Sequence, residues 1–258
     1  MSLEGVTKRF STRANDSVLA LDKIALDIQR NQFVTLVGPS GCGKSTLLKI
    51  MSGVIAPTGG AIRFDGSRLT KPSRQIGMVF QRPVLLPWRP VIENVLFPID
   101  MLGWNVAEYR EEAMRLIELV GLRGFEKALP NELSGGMQQR VSICRALVYD
   151  PQMLMMDEPF GALDAMTRED LSVELLRIWT ERKKTVIFVT HSIPEAVLLA
   201  DRVVVMTARP GRILMDLPIN LPRPRSFETE RLPEFQDMVH TIREAIYGQR
   251  KSGDGPNV

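Results

Sequence analysis

The stretch Gly38 to Thr46, GPSGCGKST, constrains this chain more than any other. It fits the phosphate-loop pattern G-x-x-x-x-G-K-[ST], with Gly38 and Gly43 framing the loop, Lys44 following and Ser45 in the hydroxyl position. Successive backbone N–H groups of such a loop wrap a concavity suited to phosphate, and the helix that follows points its positive dipole end at the anion. Lys44 adds a mobile charge for the outer phosphates, and Ser45 offers a hydroxyl to Mg²⁺. The flanks supply the context the motif requires: FVTLV before it reads as a buried strand, and LLKIM after it continues as a helix. The expected ligand is a nucleotide, held by Gly38, Pro39, Ser40, Gly41, Cys42, Gly43, Lys44, Ser45 and Thr46; the loop alone does not say what the nucleotide drives.

Composition narrows the class. The 258 residues are 44% apolar and 24% charged, enough to bury a full core as one large domain or two lobes. The net charge of +3, from 33 basic and 30 acidic residues, gives no independent case for a nucleic-acid partner. No run approaches the roughly 18 apolar residues of a membrane span. MSLEGVTKRF lacks the apolar centre of a secretory signal, so a cytoplasmic location is expected. Cys42 and Cys144 lack metal-ligand spacing and read as free thiols, and with only His191 and His240 a histidine-rich metal site is excluded.

Along the chain, residues 1 to 33 read as a small antiparallel layer with a turn at Asn15 and Asp16, and Phe10 closes its first strand. An aromatic there is either core or a flat partner for an adenine ring. Gly53 ends the phosphate-loop helix, and Asp65-Gly66 turns a hairpin. IGMVFQ is a strand closed by Gln81, after which Leu85, Leu86 and Trp88 lie among three prolines, as either a local core or a docking surface. A helical subdomain is expected at about 88–150, with Ala113, Leu116, Ile117 and Val120 at helical spacing. QMLMMDEP, KTVIFVTHS and DRVVVMT return the α/β core, with helix starts expected at Thr167, paired with Asp170, and at Ser192, paired with Glu195. Residues 221–258 are expected to form a linker, a short C-terminal helix and a loose tail from 248 on, with Arg223, Arg225 and Arg231 solvated; 1–220 form the principal domain.

Phosphoryl transfer to water needs a phosphate cradle, a metal, an aligned water and charge stabilisation. Asp157, ending an apolar strand, is placed to help hold Mg²⁺, and adjacent Glu158 to polarise water. The Gln81 amide suits the metal or the water, with plain loop capping as its alternative. His191 follows another strand, where an imidazole reaches a γ-phosphate or serves structure alone. LSGGMQQR sets Ser134, Gly135 and Gly136 at a second helix N-terminus, a second anion site that one ATP does not need from one subunit. A homodimer resolves this, each Ser134–Gly136 capping the γ-phosphate held by the other protomer.

Taken together the motifs resemble the ATP-binding subunit of an ABC transporter over about residues 3–215. In order they match an adenine-binding aromatic (Phe10), Walker A (GPSGCGKST), Q-loop (Gln81), the LSGG signature, Walker B (LMMDE), D-loop (GALD, with Asp164) and switch histidine (His191). The resemblance implies a RecA-like P-loop NTPase core, α/β in class, with an N-terminal antiparallel β layer and an inserted helical subdomain. It further implies that Phe10 stacks on adenine, that Glu158 is the catalytic base assisted by Lys44, Gln81 and His191, that Ser45, Gln81 and Asp157 surround Mg²⁺, and that Asp164 couples two sites across a dimer. Gly161 departs from the serine of many members. LLPWRPVIENV, VTHSIPEAVLLADRVVVMTARPGRI and the LPRPRS tail are similar to the importers of nitrate, sulfonate, taurine and bicarbonate. That implies an ATPase on the cytoplasmic face of the inner membrane, bound to permease subunits through the segment after Gln81 and served indirectly by an extracytoplasmic solute-binding protein. An exporter or lipid-trafficking ATPase, and a soluble ATPase acting on nucleic acid or ribosomes, are the alternatives. The latter usually needs a second ATPase domain or a long coiled-coil insert.

Overall fold

The computed structural model describes residues 1–11 and 17–253, so the expected turn at Asn15 and Asp16 lies outside the described residues. The chain opens with β1 (Ser2–Ser11), β2 (Ser17–Asp27) and β3 (Phe33–Val37), then α1 (Lys44–Met51) and the short pair β4 (Gly59–Phe64) and β5 (Ser67–Arg68). It continues through β6 (Ile76–Val79), α2 (Val91–Met101), α3 (Val106–Leu119), α4 (Gly135–Leu147), β7 (Met153–Asp157) and α5 (Ala165–Arg182). It closes with β8 (Thr185–Val189), α6 (Ile193–Leu199), β9 (Arg202–Met206), β10 (Ile213–Pro218) and α7 (Pro233–Gly253). Two compact units result, one built from Met1–Ser73 with the chain from Thr185 onward, the other from Arg74–Lys184. Among the described residues no helix is long and apolar enough to cross a membrane.

In the first unit β1 pairs antiparallel with both β2 and β4, and β4 with β5, across the Asp65-Gly66 turn. Both turn residues have positive φ, as a two-residue hairpin demands. The second layer runs β10-β9-β3-β8, with β3 parallel to its two neighbours and β10 antiparallel at the edge. FVTLV and TVIFV are buried at every position, because a parallel strand is covered on both faces. In the second unit β6 and β7 pair in parallel, and α2, α3 and α4 form a helical cluster whose buried stripe includes Ala113, Leu116 and Ile117, as their spacing predicts.

Three local expectations change. Helix α5 starts earlier than Thr167: its cap is Asp164, whose side chain accepts the Thr167 N–H at 3.0 Å and the Thr167 hydroxyl at 2.7 Å. These donors hold the Asp164 carboxyl below its ordinary range. Helix α7 runs on through Gly253, where a loose chain is expected from 248. Of the three tail arginines only Arg231 is solvated. Arg223 pairs with Asp201 at 2.8 Å, and Arg225, 5% exposed, donates to the carbonyls of Val197, Leu198, Ala200, Ile219 and Leu221. The last carbonyls of a helix lack intrahelical donors, so this guanidinium closes the end of α6. Burial lowers its pKa to about 10.

Because removing Arg225 leaves several buried carbonyls without donors, Arg225→Ala is expected to destabilise the chain by about 2–4 kcal/mol, measured by urea unfolding. Arg231→Ala is expected to stay within about 0.5 kcal/mol.

Candidate functional site: two sets of strand-end residues

The first unit carries the phosphate loop where three parallel strands end. Register pairs Leu36 with Val189 and Val37 with Val205, so the loop after β3, the turn holding His191 after β8 and the turn after β9 emerge at one edge. Gly43 caps α1 with φ +103 and no side-chain hydrogen bond, and the first turn contains no acid, so the field there favours an anion. Lys44, 6% exposed, places its Nζ on the carbonyls of Gly38 at 2.9 Å and Pro39 at 3.2 Å, with Cys42 Sγ at 3.8 Å. Phe10 pairs with Val18 across β1 and β2, and two residues further on the Ala20 carbonyl would stand 3.3 Å from a Cβ on Gly43. Its ring, 42% exposed with the Lys8 ammonium 5.1 Å from its centroid, is an accessible aromatic face rather than core. His191 is exposed and its backbone is braced. Thr190 N–H donates to Leu36 O at 3.2 Å, and the Thr190 hydroxyl accepts the Ser192 N–H at 3.0 Å while donating to the buried Glu195 carboxylate. Ser192 caps α6 as its spacing predicts, but Glu195 turns to Thr190 instead of back to the cap.

The second unit gathers Gln81, Asp157, Glu158, Asp164 and the signature residues. Register pairs Val79 with Met156, so Gln81 and Glu158 each lie two residues beyond a matched pair. Glu158 adopts φ +45, a costly conformation for a residue with a Cβ, and its carbonyl accepts the Gly161 N–H at 3.0 Å. A Cβ on Gly161 would stand 3.3 Å from Gln81 Nε2, so a serine at this position would crowd that amide. Ser134 caps α4, its hydroxyl accepting the Met137 N–H at 3.3 Å, with no acid in the first turn. Among the described residues no group of three or more His, Cys, Asp or Glu is placed to hold a metal by itself.

Four residues that stabilise these loops escape sequence reading. Gln139, buried on α4, donates from Nε2 to Phe80 O at 3.3 Å, tying the signature helix to the residue before Gln81. Arg145 donates to Pro83 O at 2.6 Å and Val84 O at 2.8 Å, holding Val84 at φ +47, where a β-branched residue is strained. Asn94, wholly buried, accepts the Leu86 N–H and donates to the carbonyls of Leu86 and Arg89. So anchored, the proline-rich loop leaves Trp88 71% exposed, with Val84 exposed and Leu85 and Leu86 half-buried. The fourth, Arg209, donates from Nε to Gly41 O at 2.8 Å.

The signature and the D-loop helix meet side by side. A Cβ on Gly136 would lie 2.6 Å from Thr167 Cγ2, closer than side-chain carbons approach. Gly136→Ala is therefore expected to reduce ATP turnover at least about tenfold by displacing α4 from α5. Adding Thr167→Ser, which removes that methyl and keeps the hydroxyl on Asp164, is expected to restore activity in part. A double-mutant cycle on steady-state ATPase rates measures the coupling.

The profile of the family described as ABC transporter matches residues 21–161. The chain is 50% identical over 242 residues to an uncharacterised ABC transporter ATP-binding protein of Methanocaldococcus jannaschii, covering 94% of this chain and 90% of that one. It is 46% identical over 239 residues to the aliphatic sulfonates import ATP-binding protein SsuB of Bacillus cereus, covering 93% and 94%. The dimeric post-hydrolysis structure of the ATP-binding cassette MJ0796 bound to ADP and Pi superposes with a TM-score of 0.74 at 31% identity, covering 86% of this chain and 99% of that one. With the phosphate loop, the signature helix and the paired strand-end acids all on an α/β scaffold of this kind, the chain belongs to the ATP-binding subunits of ABC transporters, and it is an ATPase.

Proposed function

We propose that this chain is the ATP-hydrolysing subunit of an importer for a small solute such as sulfonate, nitrate, taurine or bicarbonate. The similarity to sulfonate import ATP-binding proteins over nearly the whole of both chains carries the reading most directly. The relative solved as a dimer with ADP and Pi supports a working unit of two chains and two nucleotides. In that unit Ser134 to Gly136 of one protomer close on the phosphates held by Gly38 to Thr46 of the other. The unit sits on the cytoplasmic face of the membrane through a permease, and a solute-binding protein outside completes the system.

Each residue then has a distinct task. The uncapped N-terminus of α1 and the loop N–H groups hold the β- and γ-phosphates, and Lys44 leaves its two carbonyls for phosphate oxygen. Phe10 offers an aromatic face to adenine. A hydroxyl (Ser45), an amide (Gln81) and a carboxylate (Asp157) make a donor set suited to Mg²⁺, which takes few protein ligands and completes its shell with water and phosphate. When bound with ATP it neutralises charge on the phosphates. Glu158 accepts the proton of the attacking water, and His191, braced through Thr190 to the strand that feeds the phosphate loop, senses the γ-phosphate. ATP binds the closed dimer in preference to the open one, and its hydrolysis removes that preference, which moves the permease between its two states. Exposed Trp88, on a loop stiffened by Asn94 and Arg145, is the contact offered to the permease.

Glu158→Gln is expected to lower the ATPase rate by at least about 100-fold while keeping ATP affinity, giving a dimer stabilised by Mg-ATP on size exclusion. A wild-type rate in that variant excludes Glu158 as the base. Trp88→Ala is expected to leave ATP binding of the isolated chain unchanged and to reduce recovery of the permease in co-purification.

A further inference from the structure

The turn after β9, residues 207–212, lies against the outside of the phosphate loop. Thr207 staples it: its hydroxyl donates to Pro210 O at 2.9 Å and accepts the Arg212 N–H at 2.9 Å, while its own N–H donates to Arg212 O at 2.9 Å. A second fastening joins it to β2, through Gly211 N–H to Ala20 O at 2.9 Å, Asp22 N–H to Gly211 O at 3.0 Å, and Arg212 to the Asp22 carboxylate at 2.7 Å. A Cβ on Gly211 would stand 2.2 Å from Cys42 O, so the turn presses directly on the loop backbone. At its exposed tip Arg209 donates from Nε to Gly41 O at 2.8 Å, and its Nη2 would lie 3.2 Å from a Cβ on Gly41.

We propose that Arg209 is a positioning residue for nucleotide binding, fixing the Gly41–Cys42 peptide of the phosphate loop from outside. The inference rests on the nucleotide reading of that loop. The Gly41 carbonyl and the Cys42 N–H belong to one planar peptide, so holding the carbonyl outward on the guanidinium holds the N–H inward, where it donates to Pro39 O at 3.3 Å. Gly41 has φ +74 and no Cβ, so the long Cys42–Pro39 hydrogen bond is the loop's own hold on this peptide, and Arg209 adds a second from outside. A positive charge close outside the loop also favours a polyphosphate inside it. The ligand class is a nucleoside di- or triphosphate, the same one the loop takes.

The test uses the full-length chain with Mg-ADP titrated by calorimetry and steady-state ATPase kinetics alongside. Arg209→Ala is expected to raise the Kd for Mg-ADP and the KM for ATP about tenfold, with kcat within about twofold and an unchanged thermal midpoint. Arg209→Lys, which keeps a charged donor within reach of Gly41 O, is expected to recover most of the affinity. A Kd for Arg209→Ala within twofold of wild type overturns the proposal, as does a loss confined to kcat. So does a loss in Arg209→Lys as large as that in Arg209→Ala, since restoring the donor then does nothing. Failure of the wild-type chain to bind Mg-ADP would instead overturn the nucleotide reading.

Discussion

Backbone packed on backbone holds the phosphate loop in place. A Cβ on Gly38 would come within 2.8 Å of Met206 O, and one on Gly211 within 2.2 Å of Cys42 O. At such separations no side chain can intervene, so the loop is shaped by the strand and turn beside it. The strand order behind it makes this possible: β3 lies between β8 and β9, all three parallel and buried, and their ends reach one edge together. Ligands of open α/β sheets gather at the carboxyl ends of parallel strands for this reason, and His191 takes its place through the same register.

Much of this was legible in the chain because the relevant physics is local. GPSGCGKST requires glycines for close approach, a helix start for the dipole and a strand before it, all within a short stretch. The capping serine at 192 was likewise readable, since a cap and the N–H it accepts from sit three residues apart. Thr167 shows how local reading fails. Asp164 and Thr167 both stand at cap-compatible spacing, and the choice fell to the carboxylate, which accepts from both the N–H and the hydroxyl of Thr167.

The residues that sequence reading missed share one chemistry. Asn94, Gln139, Arg145, Arg209 and Arg225 all donate to backbone carbonyls, most of them distant in sequence and none announced by a pattern. A buried carbonyl must find a donor, but which side chain supplies it depends on the tertiary path of the loop. Arg225 illustrates the cost of judging by composition: in a proline- and arginine-rich tail it reads as solvated, yet it closes the end of α6. The same chemistry divides the tail, because Arg231, exposed, pairs with Glu228 and meets no backbone carbonyl among the described residues.

The contacts of Lys44 have a consequence for discrimination among anions. Its ammonium rests on two carbonyls of its own loop, so any phosphate that recruits it must first displace them. The lysine therefore sets a threshold. A lone inorganic anion gains one ion pair while the buried lysine forfeits two hydrogen bonds, so the exchange yields little. A chain of linked phosphates engages several loop N–H groups at the same time, and the swap becomes one favourable step among many. Selection for polyphosphate over the abundant monophosphates of a cell then begins with how well the lysine is satisfied at home.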